Sequence, residues 1–144
     1  MEAYTLRNTL NNSRTFYITN HNIVIPPSIC VMESGAVYFA ERDKGIVYKI
    51  ENGEISEYLT ALSKPGFLLC DDESQSIWIT EDRRNYGRLL HSSARQQIQV
   101  MATGLSSPQA VTINSEGRLL LAEQGRNRVI QFERRDGMAI SSST

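Results

Sequence analysis

Short apolar runs broken by turn residues recur along the whole chain, and no stretch of about 11 residues carries a helical period. Between Leu105 and Phe132 three such runs follow one another. One lies after Pro108, one runs from Leu119 to Ala122 behind the turn Ser115-Glu116-Gly117, and one runs from Val129 to Phe132 behind the polar loop from Glu123 to Arg128. Connections this short join antiparallel strands, because a parallel crossover needs about a dozen residues or more. The expected unit is a small meander with almost no helix.

That unit is repeated. Pro26, Pro65 and Pro108 lie 39 and 43 residues apart, and each precedes an apolar run. An acid closes the second run of each unit at Glu41, Glu81 and Glu123, which lie 15, 16 and 15 residues beyond the proline. Each unit offers four strands, A to D. In the first they are Ser28 to Val31, Val37 to Ala40, Ile46 to Ile50 and Ile55 to Leu59; in the second, Gly66 to Cys70, Ile77 to Thr80, Arg88 to His91 and Ile98 to Met101. In the third they are Ala110 to Ile113, Leu119 to Ala122, Arg128 to Phe132 and Met138 to Ile140. Asn52-Gly53 and Asp136-Gly137 are two-residue hairpin signals between C and D. Ahead of the first proline, Tyr4 to Arg7, Thr15 to Thr19 and Asn22 to Ile25 lie on the B, C and D portion of an incomplete unit. The boundaries are residues 1–25 for the incomplete unit, then 26–64, 65–107 and 108–144, all within one domain.

A 40-residue meander cannot bury both faces alone, so such units stack, and radial stacking gives a β-propeller. The runs nearest the proline, SICV, GFLLC and QAVTI, suit strands beside the axis. The expected fold class is all-β, about three and a half propeller-type blades. The stretch LSSPQAVTINSEGRLLLAEQGRNRVIQF resembles an NHL repeat. Its neighbours resemble the wider six-bladed group of strictosidine-synthase-like and gluconolactonase-like propellers, over about residues 26 to 140. The resemblance implies a fold that hosts enzymes, receptors, RNA binders and scaffolds alike. It also implies a closed ring of about six blades. An arc of three and a half exposes apolar sheet faces and an unpaired edge. A homo-oligomer, most simply a dimer, is therefore expected; a piece of a longer propeller, or an arc capped locally, is the alternative.

Composition narrows the partners. Fifteen basic and sixteen acidic residues leave a net charge of -1, so no global field draws the chain to nucleic acid or an anionic membrane. The first residues carry no run of signal-peptide length, and 18 apolar residues never come together, so the expectation is a soluble, cytoplasmic chain with no membrane association. Cys30 and Cys70 lie in apolar strands without metal-ligand spacing and read as buried free thiols.

Candidate chemistry collects in the B-to-C loops ERDKG, EDRRNYG and EQGRNR, which a propeller gathers on one rim. Glu41, Glu81 and Glu123 are expected to link blades through ion pairs and loop hydrogen bonds. Arg42, Lys44, Arg83, Arg84, Tyr86, Arg126 and Arg128 are the candidate ligand-binding rim, since guanidinium groups fork onto phosphate or carboxylate. Tyr86 is the one loop aromatic available to stack on an RNA base. No catalytic residue is assigned: the chain lacks a GxSxG elbow, a phosphate loop and a CxxC pair, and its two histidines, His21 and His91, are unrelated in repeat position. Gluconolactonase-like relatives hold a divalent cation near the axis, but the post-proline positions here are Pro27, Gly66 and Gln109, which do not supply the expected ligands. Glu33, Asp71, Asp72 and Glu73 fall at A-to-B turns on the opposite face. The leading expectation is a binding or assembly module without catalysis or cofactor. The alternative is a divergent lactonase or hydrolase with a calcium-like ion and a site completed by oligomerisation.

Overall fold

The computed structural model describes residues 2–7, 13–18, 28–82, 86–135 and 139–143, with side chains over 28–82 and 86–133. Strands β1 (Glu2–Arg7) and β2 (Ser13–Ile18) form an antiparallel pair. Three four-stranded antiparallel sheets follow, each built in chain order. The first contains β3 (Ile29–Val31), β4 (Val37–Glu41), β5 (Ile46–Glu51) and β6 (Glu54–Leu59). The second contains β7 (Pro65–Asp71), β8 (Ser76–Glu81), β9 (Gly87–Ser92) and β10 (Ile98–Leu105). The third contains β11 (Pro108–Ile113), β12 (Leu119–Glu123), β13 (Arg128–Arg135) and β14 (Ala139–Ser143).

The meanders are those the apolar pattern predicts, with two differences. Strand β10 runs four residues past the expected Met101, to Leu105, as an outer strand whose first residues are exposed. A single 3-10 turn, Gln124–Arg126, interrupts the third B-to-C loop. The expected strand Asn22–Ile25 and the Asp136-Gly137 turn lie outside the described residues. Asn52 and Gly53 have φ values of 52° and 79°, the two positive angles that a type I′ hairpin turn requires, and they join β5 to β6.

The prolines and acids of the repeat meet in space. Pro65 sits directly opposite Glu81, and Pro108 opposite Glu123, with a register shift immediately after each proline. A proline has no N–H to give to a ladder, so pairing resumes only beyond the bulge. The residues just before these prolines, Lys64 and Ser107, are held at φ 49° and 48°. A left-handed non-glycine residue is costly, so neighbouring contacts must hold the linker in place.

Two apolar seams hold the sheets together. Tyr38, Ala40 and Val47 of the first sheet pack on Leu68, Ile77, Ile79 and Leu90 of the second. On its other face the second sheet places Trp78 and Leu89 against Val111, Leu119, Leu121, Ile130 and Phe132 of the third. Because successive strand residues point to opposite faces, a sheet buried on both sides needs an apolar run without alternation, as IWIT and RLLH supply. Packing is tight at the second seam, where a methyl group added to Gly87 would come within 2.6 Å of Pro108 Cδ.

One expectation is overturned at the first seam. Cys30 and Cys70 are not free thiols; they form a disulfide with a Cα separation of 5.6 Å. They lie 40 residues apart, one repeat length, and stacking sets residues one repeat apart side by side on inner strands β3 and β7. Local spacing alone therefore suggested two unrelated cysteines.

Candidate functional site

The three acids that close the B strands are the most buried charged groups described. Glu41, Glu81 and Glu123 are 2%, 0% and 0% exposed. Glu81 faces Arg88 across the β8–β9 ladder, and Glu123 faces Arg128 across β12–β13. Arg88 donates from Nε and Nη2 to the two Glu81 oxygens, each at 2.7 Å. Such a two-pronged pair is both strong and directional. Glu123 receives Arg128 Nε at 2.5 Å and Arg126 Nη1 at 2.5 Å. In the first sheet Ile46 occupies the facing position, and Glu41 instead accepts from the Tyr48 hydroxyl at 3.2 Å and pairs with Lys44 at 3.5 Å.

Each acid of the second and third sheets also holds the linker in front of its own sheet. The Ser63 N–H donates to Glu81 Oε1 at 3.3 Å, and the Ser106 N–H to Glu123 Oε2 at 2.9 Å. Both donors lie two residues ahead of a proline and next to the left-handed Lys64 or Ser107. The residue after each acid completes the clamp: Asp82 N–H donates to the Lys64 carbonyl, and Gln124 N–H to the Ser107 carbonyl. Burial pushes the Glu123 carboxyl up, but the Ser106 N–H, Arg128 and Arg126 together outweigh it and leave its pKa below the usual value. For Tyr48, burial foremost and the bond to Glu41 second raise the phenol.

The candidate ligand residues separate into three sets. Arg42, Lys44, Arg126 and Arg128 each have an acidic partner; Arg42 reaches across the first seam to Asp82 at 2.6 Å. Tyr86 is 74% exposed. Arg83 and Arg84 lie outside the described residues. Arg88 was not among the sequence candidates, because it was assigned to a strand rather than a loop; its ladder position opposite an acid is the signal that identifies it. At the opposite end Asp72 accepts the Glu33 N–H across the seam at 2.7 Å, while Asp71 binds the Glu73 N–H and the Ser74 hydroxyl within its own turn. Among the described residues, no three His, Cys, Asp or Glu side chains gather as a metal-binding group.

A cleft of about 450 Å3 opens here, lined by Gln109, Ala122, Glu123, Gln124, Asn127, Arg128 and Val129. Glu123 is satisfied by two guanidinium groups and one backbone donor, so this part of the rim carries one positive charge more than its acid balances.

Proline-led four-stranded meanders stacked face to face, with inner strands adjacent, define a run of β-propeller blades. The comparisons agree. Virginiamycin B lyase from Staphylococcus aureus matches with a TM-score of 0.73 at 17% identity, over 98% of this chain and 48% of that one. A putative gluconolactonase matches at 0.75 and 9% identity, over 96% and 54%. A chain of a nidogen–laminin complex matches at 0.72 and 15% identity, over 85% and 49%. The chain thus has the fold of the NHL and gluconolactonase-like propeller group and spans about half the length of these structures. No protein-family model matches the sequence, and none of the curated proteins matches it. No helix among the described residues is long and apolar enough to cross a membrane.

Proposed function

We propose that the chain is a non-catalytic binding and assembly module of propeller type, whose rim takes a small anionic ligand or an acidic patch of a partner protein. The observation that carries this reading is the surplus positive charge of Arg126 and Arg128 over Glu123, set beside an open cleft with amide side chains at Gln109, Gln124 and Asn127. The Arg128 guanidinium and these amide side chains line one space, with Arg126 adding its charge next to it, and such donors suit a carboxylate or phosphate. The Cys30–Cys70 bridge supports an oxidising compartment for such a module, rather than the cytoplasm expected from the sequence.

Calorimetric titration with a dicarboxylate and with inorganic phosphate tests the reading. Saturable binding is expected, and Arg126→Ala should weaken it about tenfold, which corresponds to about 1.4 kcal/mol. Arg128 remains to satisfy Glu123 in that variant, so thermal unfolding should stay close to that of the parent. Absence of binding at millimolar anion, or binding unaffected by Arg126→Ala, would overturn it.

A further inference from the structure

The cations of the rim are not all engaged by their acids in the same way. Arg42 with Asp82, Lys44 with Glu41 and Arg88 with Glu81 each set one cation against one carboxylate. Arg88 closes its fork, since Nε and Nη2 both donate to Glu81. Arg126 and Arg128 instead share Glu123, each through a single nitrogen, so one positive charge is left unmatched. Among the described residues no hydrogen bond engages the two terminal nitrogens of Arg128, and its side chain is 43% exposed. That pair of nitrogens is a free fork of the width a carboxylate spans.

The same cleft offers more than charge. Gln109, Gln124 and Asn127 line it, and their side-chain amides make no hydrogen bond among the described residues. Their backbones are held: the Thr80 hydroxyl donates to the Gln109 carbonyl, the Gln124 N–H to the Ser107 carbonyl, and the Asn127 N–H to the Gln124 carbonyl. A side-chain amide presents an acceptor together with its donors, so a bare anion satisfies only part of it. The ligand that fits carries N–H groups of its own behind its negative charge. Val129, 62% exposed, adds an apolar wall to this space. A carboxylate, amide groups and an apolar side chain in succession are the last residues of a peptide chain.

We propose that this cleft binds the carboxyl terminus of a partner polypeptide, with Arg128 forking onto the terminal carboxylate and the amide side chains pairing with the last peptide groups. The inference rests on the anion reading of the rim and narrows it to one ligand class. A single carboxylate matches the one surplus charge, which a phosphate dianion exceeds. Arg126, tied to Glu123 and to the Gly104 carbonyl, contributes its charge from beside the cleft. Capture of a terminal carboxylate anchors the chain end, and the adjoining contacts decide which sequences are accepted.

Calorimetric titration of the full chain with N-acetyl-alanyl-leucine tests it, against the same peptide as its carboxamide and against acetate. Saturable binding of the free acid is expected, about tenfold or more tighter than either control. Arg128→Lys keeps a cation beside Glu123 but removes the fork, and should weaken the free acid about tenfold while circular dichroism stays native. The double variant Gln109→Ala, Gln124→Ala should weaken the peptide and leave acetate unchanged. Equal binding of acid and carboxamide, or a peptide held no tighter than acetate, would overturn the peptide ligand while the anion reading stands. No binding of any of the three, with phosphate and dicarboxylate also unbound, would overturn both.

Discussion

Reducing the Cys30–Cys70 disulfide is expected to lower the midpoint of thermal unfolding by roughly 10–15 °C. The bridge closes a loop of 40 residues, and in the loop-entropy account such a link withdraws about 4 kcal/mol of freedom from the unfolded chain. The effect should be seen equally in the double variant Cys30→Ala, Cys70→Ala without reductant, which separates it from any other action of the reagent. Melting followed by circular dichroism, with thiol titration of the unfolded protein, makes the check. Two titratable thiols in the non-reduced protein, together with a midpoint indifferent to reductant, would show that the bridge does not form.

The second large effect belongs to Glu123. Glu123→Ala should cost about 2–3 kcal/mol, because it leaves the Ser106 N–H without its acceptor and removes the carboxylate from two guanidinium groups. The estimate falls below that for a fully enclosed pair, since Arg126 and Arg128 are 44% and 43% exposed and return partly to water. Acidification should reproduce part of the loss. The folded-state pKa of Glu123 lies below the ordinary glutamate value of 4.5, so its contribution is complete above that value and disappears as pH falls through the lower, folded-state value. Urea unfolding of the parent and of Glu123→Gln should therefore give a difference that is largest near neutrality and shrinks below about pH 4.5. A difference that stays constant from neutral to strongly acidic pH would assign the effect to shape rather than charge.

Much of the fold was legible because each strand announces itself locally, by an apolar run and the turn residues that end it. The hairpin at Asn52-Gly53 is the clearest case, since its two positive φ angles follow from those residue types. The sequence ends strand β10 at Met101 because Thr103 and Gly104 break the apolar pattern beyond it, as an outer strand facing water allows. What escaped is whatever depends on two repeats at once. The Cys30–Cys70 pair becomes visible only when residues one repeat apart are set side by side. The role of Arg88 becomes visible only when β8 and β9 are placed in register. For the rim, the sequence located the cations but not their pairing, which follows from carboxylates buried at the strand ends.

The disulfide also has a mechanical consequence. A force applied to the two ends of the chain passes through the bridge and bypasses everything between Cys30 and Cys70. With the bridge intact, the 40-residue span it encloses contributes almost nothing to extension, and about 130–140 Å of chain stays hidden. The second sheet then begins to yield only beyond Cys70. A tether between the inner strands of neighbouring sheets thus makes the first seam the part of the arc that tension can loosen but cannot open.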